Sequence, residues 1–261
     1  MVQAPPSEFL DVAGVRTHLR QRGSGDPLLL LHGAGGSGVW SPYQESLSQR
    51  FRLIVPDHPG FGESERPDWL ETMDDLVYHY LDLLELLGIP RVRIAGSSLG
   101  GWLAAEIAVA HPEVVERLAL IDPAGLKVPG MFLPDIFSMT EEEQTRILFF
   151  DQALAEQQIP PAPTSDAVLQ RIKNLTTVAR VAWNPYLYNP RLQRRLRRVK
   201  APTLLIWGRE DRLIPIENAR LWLDGIPHAR LVPIDRCGHV PHRERPDELL
   251  RALVDFMTEG A

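Results

Sequence analysis

Between residues 9 and 20 apolar and polar side chains alternate on either side of Gly14, the period-two signature of an antiparallel hairpin. Residues 27–31, PLLLL, abandon that alternation for a continuous apolar run, as a strand covered on both faces requires. The spacing then predicts a helix over 39–50, a strand over 51–56, and an amphipathic helix over 72–87 closed by Gly88 and Pro90. Val92, Ile94 and Ala95 read as a buried strand, and Leu99, Leu103, Ile107 and Ala110 recur at helical spacing just beyond a small-residue turn. Residues 115–121 make another buried strand. From Leu126 to about Arg198 strand-like runs stop, and helical patches over 141–157 and 167–183 are separated by PPAPT and WNPYLYNP. Strand and helix alternate again over 202–208, 229–234 and 246–257. Such alternation predicts an α/β protein, and the all-helical stretch predicts an insertion that divides the chain into 1–125, 126–198 and 199–261.

Composition narrows the classes. The 261 residues are 44% hydrophobic and 24% charged, ordinary for a globular protein and unlike a disordered one. A net charge of −6 argues against a general nucleic-acid binder, whose footprint would be basic. The single cysteine, Cys237, cannot form an internal disulfide, which favours a reducing compartment. The start, MVQAPPSEFLDVAG, lacks a basic and then apolar leader, and no apolar run reaches membrane-spanning length, so a cytoplasmic protein without a membrane span is expected. The arginines and lysine at 191, 194, 195, 197, 198 and 200 surround Leu192, Leu196 and Val199, as on the solvated face of a short helix. Oligomeric state has no signature in the sequence.

The candidate chemistry centres on Gly96-Ser97-Ser98-Leu99-Gly100, a G-x-S-x-G turn between a predicted strand and a predicted helix. A nucleophile held on so sharp a bend needs glycine two positions to either side, because larger side chains would collide across it. That requirement selects Ser98, flanked by Gly96 and Gly100, over Ser97, flanked by Ala95 and the bulky Leu99. The glycine-rich run 32–38 follows a strand without the Lys-Ser/Thr ending of a P-loop or the spacing of a dinucleotide site. Asp57-His58-Pro59-Gly60-Phe61-Gly62 carries the proline and glycines of a tight turn. Gly208-x-x-Asp211 follows a strand, and Gly238-His239-x-Pro241 lies in the loop after the last one. None of the familiar zinc spacings is present, and neither a metal nor an organic cofactor is expected.

With these motifs in this order, the chain resembles the α/β-hydrolase superfamily of serine hydrolases, in its carboxylesterase-like members and in its meta-cleavage product hydrolases. The resemblance implies a mostly parallel, eight-stranded twisted sheet flanked by helices, with a helical cap inserted after the sixth strand. It implies a catalytic triad of Ser98, Asp211 and His239 in the superfamily's order of nucleophile, acid and base. Backbone N–H groups of Leu99 and of Ala34, with Gly35 as the competing choice, would form the oxyanion hole, and His32 would brace that loop. Asp122, after the strand that follows the elbow, is the other acid position; Glu210 and His242 are the neighbouring competitors. Gly35, Phe137, Trp183 and Val240 are the expected substrate contacts. The expected activity is cleavage of small to medium carboxylic esters, with a small-molecule substrate as the only implied partner. Hydrolysis of a carbon–carbon bond in a vinylogous diketone is the alternative, although that family usually places asparagine where this chain has Ser97. A binding protein that kept the fold without the chemistry is the reading from outside enzymology.

Overall fold

The structure is a computed structural model that describes residues 2–159 and 162–259, so residues 160 and 161 of the predicted PPAPT break lie outside the described residues. Eight strands form one sheet: β1 (Glu8–Val12), β2 (Val15–Arg22), β3 (Pro27–Leu31), β4 (Arg52–Pro56), β5 (Val92–Ser97), β6 (Val115–Ile121), β7 (Thr203–Gly208) and β8 (Arg230–Ile234). Their spatial order is β1-β2-β4-β3-β5-β6-β7-β8. β1 and β2 form the antiparallel hairpin, β2 pairs antiparallel with β4, and every other pairing is parallel. The continuous apolar runs lie in the middle of this order, as strands covered on both faces must.

One face carries α1 (Pro42–Ser48) and α10 (Pro246–Thr258), whose Leu47, Leu249, Leu253 and Phe256 share an apolar layer with Leu28, Leu53, Leu204 and Ile206. The other carries α2 (Met73–Leu86), α3 (Leu99–Ala110) and, later in the chain, α8 (Ala219–Gly225). α3 is apolar almost all round and buried from Leu99 to Val109, which fixes its N-terminus, and Ser98 before it, against the sheet. The chain leaves β3 for β4 on one side and returns to β5 on the other. The loops after β3 and β5 therefore part at the carboxyl edge and open a crevice there, the place where α/β sheets gather ligands.

Between β6 and β7 lie α4 (Glu141–Leu148), α5 (Gln152–Gln158), α6 (Ser165–Ala182) and the short α7 (Leu192–Arg195), with no named strand among them. The helix expected over 141–157 is thus two. Asp151 caps the second by accepting from the N–H groups of Ala153 and Leu154, while Phe149 and Phe150 stand between the helices and the Leu148 carbonyl accepts from outside the insertion. The first predicted helix, 39–50, is shorter as well. Ser41 caps it through a capping box with Gln44, and Pro42 occupies its first turn. α9 (Pro241–Glu244) is a single turn after the last loop. Among the described residues no helix is long and apolar enough to cross a membrane.

Candidate active site

Ser98 stands at the junction of β5 and α3 with φ +54° and ψ −116°, a conformation that L-residues rarely adopt. Its N–H donates to Ile121 O at 2.9 Å and its carbonyl accepts from Trp102 and Ala124 at 3.0 Å, so neighbouring main chain holds the bend. A Cβ on Gly96 would run into the Gly100 carbonyl, and one on Gly100 into the carbonyls of Leu31 and His32. Gly33, in the loop after β3, lies directly over the serine: a Cβ there would be 3.2 Å from Ser98 Cβ and 3.8 Å from its Oγ. Neither Ala34 N–H nor Leu99 N–H has an acceptor among the described residues, and Leu99 opens α3, where a backbone donor has no helical partner.

That glycine loop is braced from beneath by buried polar groups. His32 Nδ1 meets the Gly33 carbonyl at 2.7 Å, and its Nε2 accepts from His58 N at 3.0 Å. Burial keeps both imidazoles below their ordinary pKa, hence neutral at neutral pH. Asp57 accepts from the Ser37 hydroxyl, from Glu63 N–H at 2.8 Å and from His18 Nδ1 at 2.8 Å, and His18 Nε2 lies 3.0 Å from Ser7 Oγ. Burial would raise this carboxyl; His32, the Ser37 hydroxyl, the Glu63 N–H and His18 outweigh it and hold the pKa below the ordinary value. From above, Asn174 on α6 donates to the Gly35 carbonyl at 2.9 Å and accepts from Gly62 N at 3.3 Å, which ties the insertion to the loop.

Asp211 and His239 meet at 2.6 Å between Oδ2 and Nδ1, both buried. The other oxygen of Asp211 accepts from Leu213 N at 2.8 Å and Ile214 N at 2.9 Å, which orients the carboxylate before the imidazole reaches it. Gly208 is required here because a Cβ would strike the Gly238 carbonyl. The histidine loop offers three consecutive N–H donors to three acceptors: Cys237 to Glu210 Oε2 at 2.9 Å, Gly238 to Glu244 Oε2 at 2.6 Å, and His239 to Leu148 O at 2.7 Å. Glu244 also accepts from Asp151 N at 2.8 Å, so one buried carboxylate joins the histidine loop to the insertion. His239 Nε2 is buried and makes no hydrogen bond. The structure therefore unites Asp211 with His239, and no hydrogen bond joins His239 to Ser98.

The profile of the alpha/beta hydrolase fold matches residues 26–246. The chain belongs to the α/β-hydrolase family. It is 31% identical over 263 residues to a 2-hydroxymuconate semialdehyde hydrolase of Pseudomonas sp. (strain CF600), covering 95% of this chain and 92% of that one. A 2-hydroxy-6-oxo-6-phenylhexa-2,4-dienoate hydrolase of Burkholderia cepacia is 28% identical over 95% of this chain and 93% of its own. Among solved structures, a meta-cleavage product hydrolase of Pseudomonas fluorescens IP01 superposes with a TM-score of 0.80 at 26% identity, covering 97% of this chain and 98% of that one. A bacterial membrane phospholipase A superposes with a TM-score of 0.76 at 27% identity, over 97% of this chain and 85% of that one.

In this α/β-hydrolase Asp122 lies beside the Asp211–His239 pair without bonding the imidazole: an oxygen of each aspartate and a ring nitrogen of His239 lie within 4.8 Å of one another. A cation held by all three would compete with the 2.6 Å bond for Nδ1 and Oδ2. Glu210 serves the loop through Cys237 N, and His242 packs against Tyr43 with ring centroids 6.4 Å apart. Burial, then Asp122 and Glu244, push the Cys237 thiol well up, which suits an inert core side chain. Of the expected substrate contacts, Phe137 and Trp183 meet edge to face at 5.0 Å within the insertion, Gly35 is held by Asn174, and Val240 is half-buried after His239. Asn174 and Glu244 were not singled out as site residues from the sequence. The only signal for the second was its place in the Glu244-x-Pro246 run after the histidine, and the first had none.

Proposed function

We propose that this α/β-hydrolase cleaves small to medium carboxylic esters by acyl transfer through Ser98, with the helical insertion 126–198 serving as its cap. The observation that carries the reading is the buried His239, whose Nδ1 is held by Asp211 while its Nε2 makes no hydrogen bond. With Nδ1–H committed to the carboxylate, Nε2 is the basic nitrogen, and it takes the Ser98 hydroxyl proton as Oγ adds to the ester carbonyl. The negative charge that develops on the carbonyl oxygen is met by the N–H groups of Ala34 and Leu99, each such donor lowering a barrier by roughly 3 kcal/mol. Imidazolium returns the proton to the departing alcohol, and water repeats the sequence on the acyl-enzyme to release the acid and restore Ser98.

An uncharged ester suits the disposition of charge on α6. Lys173 donates to the carbonyls of Gly62 and Ser64, and Arg180 to those of Asp68 and Leu70, so these cations are spent on main chain. Carbon–carbon bond hydrolysis of a carboxylate-bearing diketone is the second reading. It is favoured by the names of the curated relatives and by Arg171, one helical turn before Asn174: its guanidinium donates to the Met139 carbonyl at 3.1 Å, but its Nε is buried without a partner. The deciding experiment assays wild type and Ser98→Ala on p-nitrophenyl esters of increasing acyl length and on 2-hydroxymuconate semialdehyde. Ester turnover that vanishes in the variant supports the first reading, and faster loss of the semialdehyde supports the second. Ligand binding without turnover by either form would make the chain a binding protein.

A further inference from the structure

One buried acid has no part in the steps above. Asp122 is fully buried directly after β6, with φ +44°, a left-handed conformation that a non-glycine residue holds only when its surroundings impose it. Its N–H donates to Ile206 O at 2.9 Å, and its Oδ1 accepts from Gly208 N at 2.8 Å. Its Oδ2 is buried with no partner. An oxygen of this carboxyl lies within 4.8 Å of both an Asp211 oxygen and a His239 ring nitrogen.

We propose that Asp122 is a positioning residue for the acid: a neutral carboxyl whose proton is directed at Asp211, so that the negative charge of the pair stays on the residue that holds His239. The inference rests on the reading of Asp211 and His239 as acid and base. Two carboxylates this close in a buried site cannot both be ionised cheaply, and the division of hydrogen bonds decides which one keeps its proton. Asp211 accepts from two backbone N–H groups and from His239, three of the roughly four positions a carboxylate offers, which leaves one for a donor. Asp122 accepts from a single N–H. Its Oδ2, orphaned as an acceptor, is satisfied as a donor once protonated.

The titratable groups facing Asp122 are Asp211 after β7 and His239, Cys237 and Glu244 on the histidine loop and α9. Burial first, then the charge of Asp211, drive the carboxyl well above the ordinary range; the Gly208 N–H pulls the other way, and Asp211 as a hydrogen-bond partner and the charge of Glu244 add to the rise. The strain at φ +44° then has a use, since it keeps the carboxyl turned into this cluster.

The test follows thermal stability against pH. Folded wild type keeps a proton on Asp122 that the unfolded chain releases above about pH 4, so rising pH costs wild type stability that Asp122→Asn does not lose. Expected is a Tm for Asp122→Asn that exceeds wild type by about 2–4 °C at pH 8, with the gap closing toward pH 4. In ester turnover, Asp122→Ala lowers kcat about tenfold with KM unchanged, and Asp122→Asn, which retains a donor, recovers most of that loss. A Tm difference independent of pH, or equal losses in kcat for the two variants, overturns the proposal. Should the variants fail to fold, carboxyl carbon resonances of aspartate-labelled wild type decide it. One aspartate still protonated at neutral pH supports the pair, and titration of all of them below about pH 5 removes it. Undiminished turnover by Ser98→Ala would sink the triad reading alone, leaving the stability and resonance readouts of Asp122 intact.

Discussion

Two places in this molecule bond a buried histidine to a buried aspartate, and they differ in what is left over. At the sheet edge Ser7, His18 and Asp57 form a closed chain: both ring nitrogens of His18 are bonded, and each oxygen of Asp57 has a donor. At the carboxyl ends of the strands Asp211 holds His239 just as closely, yet the far nitrogen of that ring has no partner. Saturation makes the first group a brace under the Gly33–Gly38 loop; incompleteness makes the second a place where a proton can go. Residue types alone do not separate the two groups; the unpartnered Nε2 of His239 does.

Ser98→Ala is expected to reduce kcat on a short chromogenic ester at least ~10⁴-fold, whereas Ser7→Ala leaves it within about twofold; equal losses would erase the distinction. Asp211→Asn should cost ~10²–10⁴ in kcat with a smaller change in the urea midpoint, since the amide oxygen can still accept from both Leu213 and Ile214 N–H and the imidazole can change tautomer. The same change at Asp57 reverses the pattern: an amide cannot accept from all three donors, and about 2–3 kcal/mol of stability should go, read from urea denaturation.

Acidification sharpens the contrast further. His79 Nε2 lies 3.3 Å from the hydroxyl of Thr17, next to His18, and burial pushes the ring down to about 4. Its folded pKa being depressed, the unfolded chain takes up the proton first, so stability is full above about pH 6.5 and declines toward pH 4. The loss assigned to this ring is about 3 kcal/mol, and His79→Gln should flatten that part of the stability curve. The smallest effect belongs to the link between the histidine loop and the insertion. Glu244→Gln should lower kcat about tenfold while costing roughly 1–2 kcal/mol, because one of its two N–H partners loses its acceptor.

Sequence reasoning went furthest where local sterics dominate. The glycines around Ser98 choose the register of the elbow without any knowledge of the rest of the chain, and the carbonyls that would meet a Cβ at Gly96 and Gly100 are the physical form of that choice. That β3 is covered on both faces was legible in its continuous apolar run, whereas the order of the strands was not. Less legible were bonds between distant segments. Glu244 reaches Asp151 across 93 positions, and Asn174 reaches Gly35 across 139, with nothing in either neighbourhood to announce the other. The break between α4 and α5 escaped prediction for the same reason: what takes the Leu148 carbonyl is His239, far along the chain. Asp122 was visible as a candidate acid, but its true relation to Asp211 depends on how many donors each carboxyl receives.

On the insertion's side the fastening is written in main chain: the Leu148 carbonyl and the N–H of Asp151 meet the histidine loop and α9, and the carbonyls of Arg146 and Phe149 accept from Arg212, next to Asp211. Those atoms are the same whatever amino acid carries them. The exposed Phe150 side chain is therefore at liberty to drift, or to be exchanged by an engineer in search of new selectivity, while the histidine loop keeps its anchorage; the buried Phe149 and the helix-capping Asp151 are not.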